Sequence, residues 1–164
     1  MDKVIILDTD VASVFAKIKR LELLKRLFSK HRIVITPEIY EELVTSLDYG
    51  YTFPLDIFRY FKVLYPSKEE NEEYQRLLIE KRRLGKGELE AISICKHRGY
   101  VFSSIDGAAL KFAEEDGVET IWLHSILRSL WESGLQSKDE VRNIITEIEK
   151  KDNTSIKDVE EIFG

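Results

Sequence analysis

The stretch Val4-Ile5-Ile6-Leu7-Asp8-Thr9-Asp10 decides how the rest of the chain is read. A short unbroken apolar run rich in β-branched residues marks a strand buried on both faces, as in a parallel sheet. It stops abruptly at polar residues. Val11, Val14, Phe15 and Ile18 then recur at helical spacing, so a helix follows.

The same alternation continues downstream. Ile33-Val34-Ile35 is a second strand signal, and it runs into Thr36-Pro37, an N-cap type followed by proline at the first helical position. That helix turns Ile39, Tyr40, Leu43, Val44 and Leu47 inward. The aromatic-rich segment 48–66 suggests a helix near 54–62 and a short strand at 61–65. A polar helix spans Lys68 to Arg83, Gly85-Lys86-Gly87 interrupts it, and a further helix runs from Glu88 to about Arg98-Gly99. A strand at 100–104, a helix at 108–115, a strand at 118–123 and a helix at 125–132 complete the alternating part. Ser137-Lys138-Asp139-Glu140 is a capping box opening a helix with Val141, Ile144, Ile145 and Ile148 on one face, and Ser155 starts a last helix. Strands alternating with helices specify a three-layer α/β/α sandwich with a central parallel sheet. The expected division is a domain over 1–135 and a helical C-terminal extension over 136–164, packed on the same domain.

Composition narrows the class. The chain has 164 residues, 43% hydrophobic and 34% charged, with 8 Gly and 3 Pro, which excludes fibrous and disordered chains. Cys95 is the sole cysteine, so neither an internal disulfide nor a thiolate zinc site can form. No apolar run is long enough for a signal-peptide core or a membrane span, and the expected location is cytoplasmic, with no membrane partner. The net charge of −5 argues against an all-round basic coat. Local basic tracks remain: Lys17, Lys19, Arg20, Lys25, Arg26, Lys30 and Arg32 face one acid, Glu22, and Lys81, Arg82, Arg83 and Lys86 form a second group. A solvated helix face accounts for either track, while Lys17, Arg20, Lys81 and Arg82 are candidates for contact with a phosphate backbone.

Ligands of parallel α/β sheets bind beyond the carboxyl ends of the strands, where the strand order reverses. Two strands end there in an acid: Asp8 after Val4–Leu7 and Asp106 after the 100–104 strand. Either would also serve as a helix N-cap. Glu88 leads the apolar stripe Ala91, Ile92, Cys95, where an ionised carboxylate is costly unless paired or bound to a cation, whereas Glu90 points the other way with Ser93 and His97. Glu41 and Glu42 flank their helix's apolar stripe about equally, and periodicity leaves the two tied. Acids converging on one site repel each other, a divalent cation removes the repulsion, and oxygen-only donors suit Mg²⁺ or Mn²⁺. Such an ion activates water and stabilises charge on a phosphodiester.

Leu7-Asp8-Thr9, Thr-Pro-Glu-Ile-Tyr-Glu-Glu-Leu at 36–43, Gly-Glu-x-x-Ala-Ile at 87–92 and Ser-x-Asp-x-Ala-Ala at 104–109 resemble, in order and spacing, the motifs of PIN domain nucleases. The resemblance implies an α/β/α sandwich, Mg²⁺ or Mn²⁺ dependence and endonuclease cleavage of single-stranded RNA. It places the second acid at Glu42, so that Asp8, Glu42, Glu88 and Asp106 become the catalytic, metal-binding carboxylates, with Thr9, Asp10 and Ser104 in support. Some members are toxins of toxin–antitoxin pairs, which implies an antitoxin partner and a homodimer. Where many relatives have a further acid and a basic residue around the fourth motif, this chain has Ile105 and Leu110. Two other readings stand beside it. Asp8-Thr9-Asp10-Val11 fits the start of haloacid-dehalogenase-type phosphatases, with Asp8 as nucleophile and Asp10 as acid/base. The third is a non-catalytic PIN-like module that binds RNA or protein.

Overall fold

The computed structural model describes residues 2–164. The elements, in chain order, are β1 (Val4–Leu7), α1 (Thr9–Lys17), α2 (Leu21–Leu27), β2 (Arg32–Ile35), α3 (Pro37–Asp48), α4 (Phe53–Tyr60), β3 (Lys62–Val63), α5 (Lys68–Glu80), α6 (Lys86–Arg98), β4 (Val101–Ser104), α7 (Gly107–Glu115), β5 (Glu119–Trp122), α8 (Leu123–Glu132), α9 (Lys138–Lys151) and α10 (Glu160–Phe163). The strands form one sheet in the order β3-β2-β1-β4-β5, parallel throughout. Crossovers step from β1 through β2 to β3, and the chain then returns past β1 to β4 and β5. Because such crossovers are right-handed, the two directions put their helices on opposite faces, giving the α/β/α sandwich.

Ile5, Ile6 and Leu7 are almost wholly buried, as the unbroken apolar run requires. They join Phe15, Leu24, Ile39, Ile92, Phe102 and Ile126 in one core, and Val141, Ile144, Ile145 and Ile148 of α9 belong to the same core. In register, Ile6 pairs with Phe102 and Leu7 with Ser103. The carboxyl ends of β1 and β4 are therefore adjacent, at the point where the strand order reverses.

Several elements differ from the sequence reading. Helix α2 has no counterpart there; it is only seven residues long, too short for a periodic apolar signal, and lies inside the basic track. Helix α6 begins at Lys86, two residues before Glu88, with Gly85 as its N-cap. Thr36 stands at the N-cap position of α3, but its side chain makes no capping bond. Glu90 of α6 takes that place, its Oε1 accepting from the backbone N–H of Glu38 at 2.9 Å. The last helix is confined to Glu160–Phe163, because residues 152–158 form an irregular strap with left-handed backbone at Asn153 and Asp158.

Candidate active site

Each of the four acids has one carboxylate oxygen fixed by a backbone N–H at a helix start. Asp8 caps α1, its Oδ1 accepting from Thr9 N at 2.8 Å. Asp106 caps α7, its Oδ1 accepting from Ala108 N at 2.9 Å. Glu88 folds back within the first turn of α6, where its Oε1 accepts from Gly85 N at 2.9 Å. Glu42 reaches across from α3, its Oε1 accepting from Gly87 N at 3.1 Å. The capping role and membership of one acid cluster thus coexist in the same residues. The N-terminal ends of α1, α6 and α7 supply partial positive charge that offsets part of the repulsion.

The remaining oxygens are linked by hydroxyls. Ser104 Oγ donates to Asp8 Oδ2 at 3.1 Å and accepts from Asp106 N at 3.0 Å, tying the acids of neighbouring strands together. Thr9 Oγ1 donates to Glu42 Oε2 at 2.9 Å. Glu88 and Asp106 lie within hydrogen-bonding reach of each other. Glu41 and Glu42 are both solvent-accessible, and what separates them is that the Glu42 side chain bonds Thr9 of α1 and Gly87 of α6.

The electrostatics record the crowding. Burial, with the added charges of Glu88 and Asp10, holds Asp8 well above the ordinary carboxylate range. Burial and the facing Asp106 push Glu88 up to about 7. Burial raises Glu42 against the lowering effect of its bonds to Thr9 and Gly87, and burial with Asp152 nearby raises Asp10. Asp10, at the outer side of α1, interacts with Asp8, Glu88, Glu42 and Asp106.

Among the described residues, no three His, Cys, Asp or Glu side chains stand close enough together to make a ready-formed metal cage. The donor chemistry nevertheless fits a small hard dication: the set is all oxygen, comes from separate elements, and carries repulsion that a cation would relieve.

The basic candidates divide. Lys17 is paired with Asp152, and Arg20 with Glu22 at 2.9 Å. Lys81 lies over the Phe112 ring, and the exposed Arg82 sits in the turn leading into α6. Sequence reasoning overlooked Gly87 as a structural partner of Glu42, Glu90 as the cap of α3, and the stacked pair Trp122–His124 beside Asp10. Gly87 was within a quoted motif, but nothing in its identity revealed what it approaches.

A parallel α/β sandwich with carboxylates gathered where the strand order reverses defines the class to which this fold and site conform. A family model described as PIN domain matches residues 4–159, and the chain belongs to that family. Comparison with curated proteins gives no match. Among solved structures, the chain is similar to VapBC-1 from nontypeable Haemophilus influenzae, with TM-score 0.55 and 16% identity over 73% of this chain and 97% of that one. It is also similar to VapBC2 from Rickettsia felis, solved bound to a DNA fragment from their promoter, with TM-score 0.56 and 17% identity over 72% and 97%. PAE2754 from Pyrobaculum aerophilum aligns with TM-score 0.54 and 16% identity over 79% and 98%. At these identities the likeness is one of fold.

Proposed function

We propose that this protein is a Mg²⁺- or Mn²⁺-dependent endoribonuclease that hydrolyses phosphodiester bonds of single-stranded RNA. The observation that carries the reading is the convergence of Asp8, Glu42, Glu88 and Asp106 from β1, α3, α6 and the end of β4, with Asp8 and Glu88 raised by burial and mutual repulsion. Those residues would hold the ion, which supplies charge neutralisation, activation of water and stabilisation of the phosphodiester's developing charge. Ser104 orients Asp8, Thr9 orients Glu42, and Asp10 stands at the outer edge of the set. Lys81 and Arg82, in the turn before α6, are the cations available to the RNA backbone, and Lys17 and Arg20 join them only on leaving their partners Asp152 and Glu22. The 136–164 extension packs on the nuclease core of 1–135.

Membership of the PIN domain family and the shared fold of the VapBC structures support placing the protein as the toxin of a toxin–antitoxin pair with an antitoxin partner, and a homodimeric state belongs to the same proposal. No helix among the described residues is long and apolar enough to cross a membrane, and we assign the protein to the cytoplasm.

The test is cleavage of end-labelled single-stranded RNA across Mg²⁺ and Mn²⁺ titrations. Metal-dependent cleavage that Asp8→Asn and Glu88→Gln abolish, with the fold intact by circular dichroism, is the expected result. RNA binding without cleavage at any ion concentration would replace it with the binding-module reading, and turnover of p-nitrophenyl phosphate would favour the phosphatase.

A further inference from the structure

A cavity of about 360 Å³ opens beside the carboxylates, between α1, the junction of β5 with α8, and the C-terminal strap 152–157. One wall is flat and aromatic: the rings of Trp122 and His124 are stacked, with centroids 3.8 Å apart and planes 17° from parallel. Val14, Ile148 and Ile156 give it an apolar lining, and Asp10 stands in its wall. Asp10 lies in the first turn of α1, two residues after Asp8, and Ile105, also in the lining, immediately precedes Asp106, so the cavity adjoins the acid cluster.

The strap is fastened where it forms the opposite wall. Ile156 N donates to Glu149 Oε2 at 2.9 Å, Asp152 pairs with Lys17, and His124 Nε2 bonds the Lys157 carbonyl. That carbonyl can only accept, so Nε2 carries a proton, while Nδ1 is buried and unpartnered. A stacked ring pair is a surface for a planar ligand.

We propose that this cavity seats one nucleobase of the single-stranded substrate, adjacent to the nucleotide whose phosphate meets the carboxylates; the inference rests on the ribonuclease reading above. Its size matches small-ligand sites, which begin near roughly 300 Å³. Asp10 repels a second phosphate from the opening, while the charge of Asp152 is offset by Lys17. An aromatic wall with an apolar lining favours stacking, the sequence-tolerant part of single-strand recognition. The Asp10 carboxylate accepts only, so it prefers a base edge that offers adjacent N–H donors, guanine above all, and disfavours uracil, whose single N–H lies between carbonyls.

Fluorescence tests this directly. The chain has two tryptophans, so Trp131→Phe leaves Trp122 as the reporter. This variant is titrated, in chelator, with five-nucleotide uridine-rich RNAs whose central position is guanine, adenine, cytosine or abasic. The expected result is quenching of Trp122 by the guanine-centred RNA, with affinity at least about fivefold weaker and quenching lost for the abasic one, the lower range for one stacked base. Equal affinity for guanine-centred and abasic RNA, or no quenching by any of them, would overturn the subsite. Because Trp122 also packs in β5, the abasic comparison on the unaltered cavity keeps the test independent of a Trp122 variant. The same RNAs incubated with Mg²⁺ or Mn²⁺ separate the two readings. Cleavage without base-dependent quenching sinks the subsite alone, and base-dependent quenching without cleavage sinks the nuclease alone.

Discussion

A Cβ built on Gly87 would stand 2.4 Å from Glu42 Oε1, inside contact distance, and 3.0 Å from Ile39 Cγ1. The position therefore holds glycine because a carboxylate from another helix docks on its bare backbone N–H. Gly87→Ala is expected to leave Tm within about 3 °C, because alanine favours a helix over glycine by about 1 kcal/mol while the tip of Glu42 can swing away. Displacement of that carboxylate should lower RNA cleavage at least about tenfold, as misplacements near 1 Å do in other sites. Cleavage at the unaltered rate in this variant would show that Glu42 is not needed where it lies.

Repulsion at the acid cluster gives stability a pH dependence of definite sign. Glu88 titrates at about 7 in the folded chain, against an ordinary value of 4.5, so the native form keeps a proton that the unfolded form releases. Stability contributed by this group is present below about 4.5, falls as pH rises to about 7, and is flat above. Glu88→Gln, which retains an acceptor for Gly85 N, should raise stability by about 1–3 kcal/mol at pH 8 in chelator and have little effect at pH 4.5. Adding Mg²⁺ should narrow the gap by stabilising the unaltered protein. Thermal melts at both pH values decide the matter, and a destabilised Gln variant at pH 8 would contradict the crowding described.

Glu90 is 3% exposed and caps α3 from α6. Glu90→Ala should cost about 1–3 kcal/mol by leaving the Glu38 N–H unpaired at a buried helix start. Glu90→Gln keeps the acceptor and should recover most of the loss. Chemical denaturation measures both, and amide exchange at Glu38 should accelerate in the Ala variant only. Equal losses in the two variants would assign the effect to charge rather than to the cap.

Ser104 is wholly buried and joins Asp8 to Asp106. Removing its hydroxyl deprives ionised Asp8 of a donor, which raises that carboxyl further. Ser104→Ala is expected to reduce cleavage and to move the acidic limb of its pH profile upward, with a stability loss of about 1–2 kcal/mol. An unmoved limb would deny Ser104 its orienting role toward Asp8.

Much of this was legible in the chain because local chemistry is periodic. The apolar run Val4–Leu7 and the polar stop at Asp8 follow from short-range spacing and sit where that spacing puts them. The stripe behind Glu88 does not stand out, because α6 is buried on all sides, Glu90 and Ser93 included. The helix at 21–27 was hidden because seven residues carry too little periodicity to stand out from a basic background. Glu41 and Glu42 could not be separated by helical angle, since the partners that distinguish them come from α1 and α6.

The sequence by itself determined the alternation of buried strands and amphipathic helices, and hence a parallel sheet with acids at its strand ends, because side-chain burial and capping act over a few residues. Only the tertiary structure decided which N–H groups hold those acids, that Glu90 rather than Thr36 caps α3, and that the strap 152–157 walls a cavity beside Asp10. Those relationships join residues tens of positions apart, where chain connectivity imposes no spacing and only close packing does.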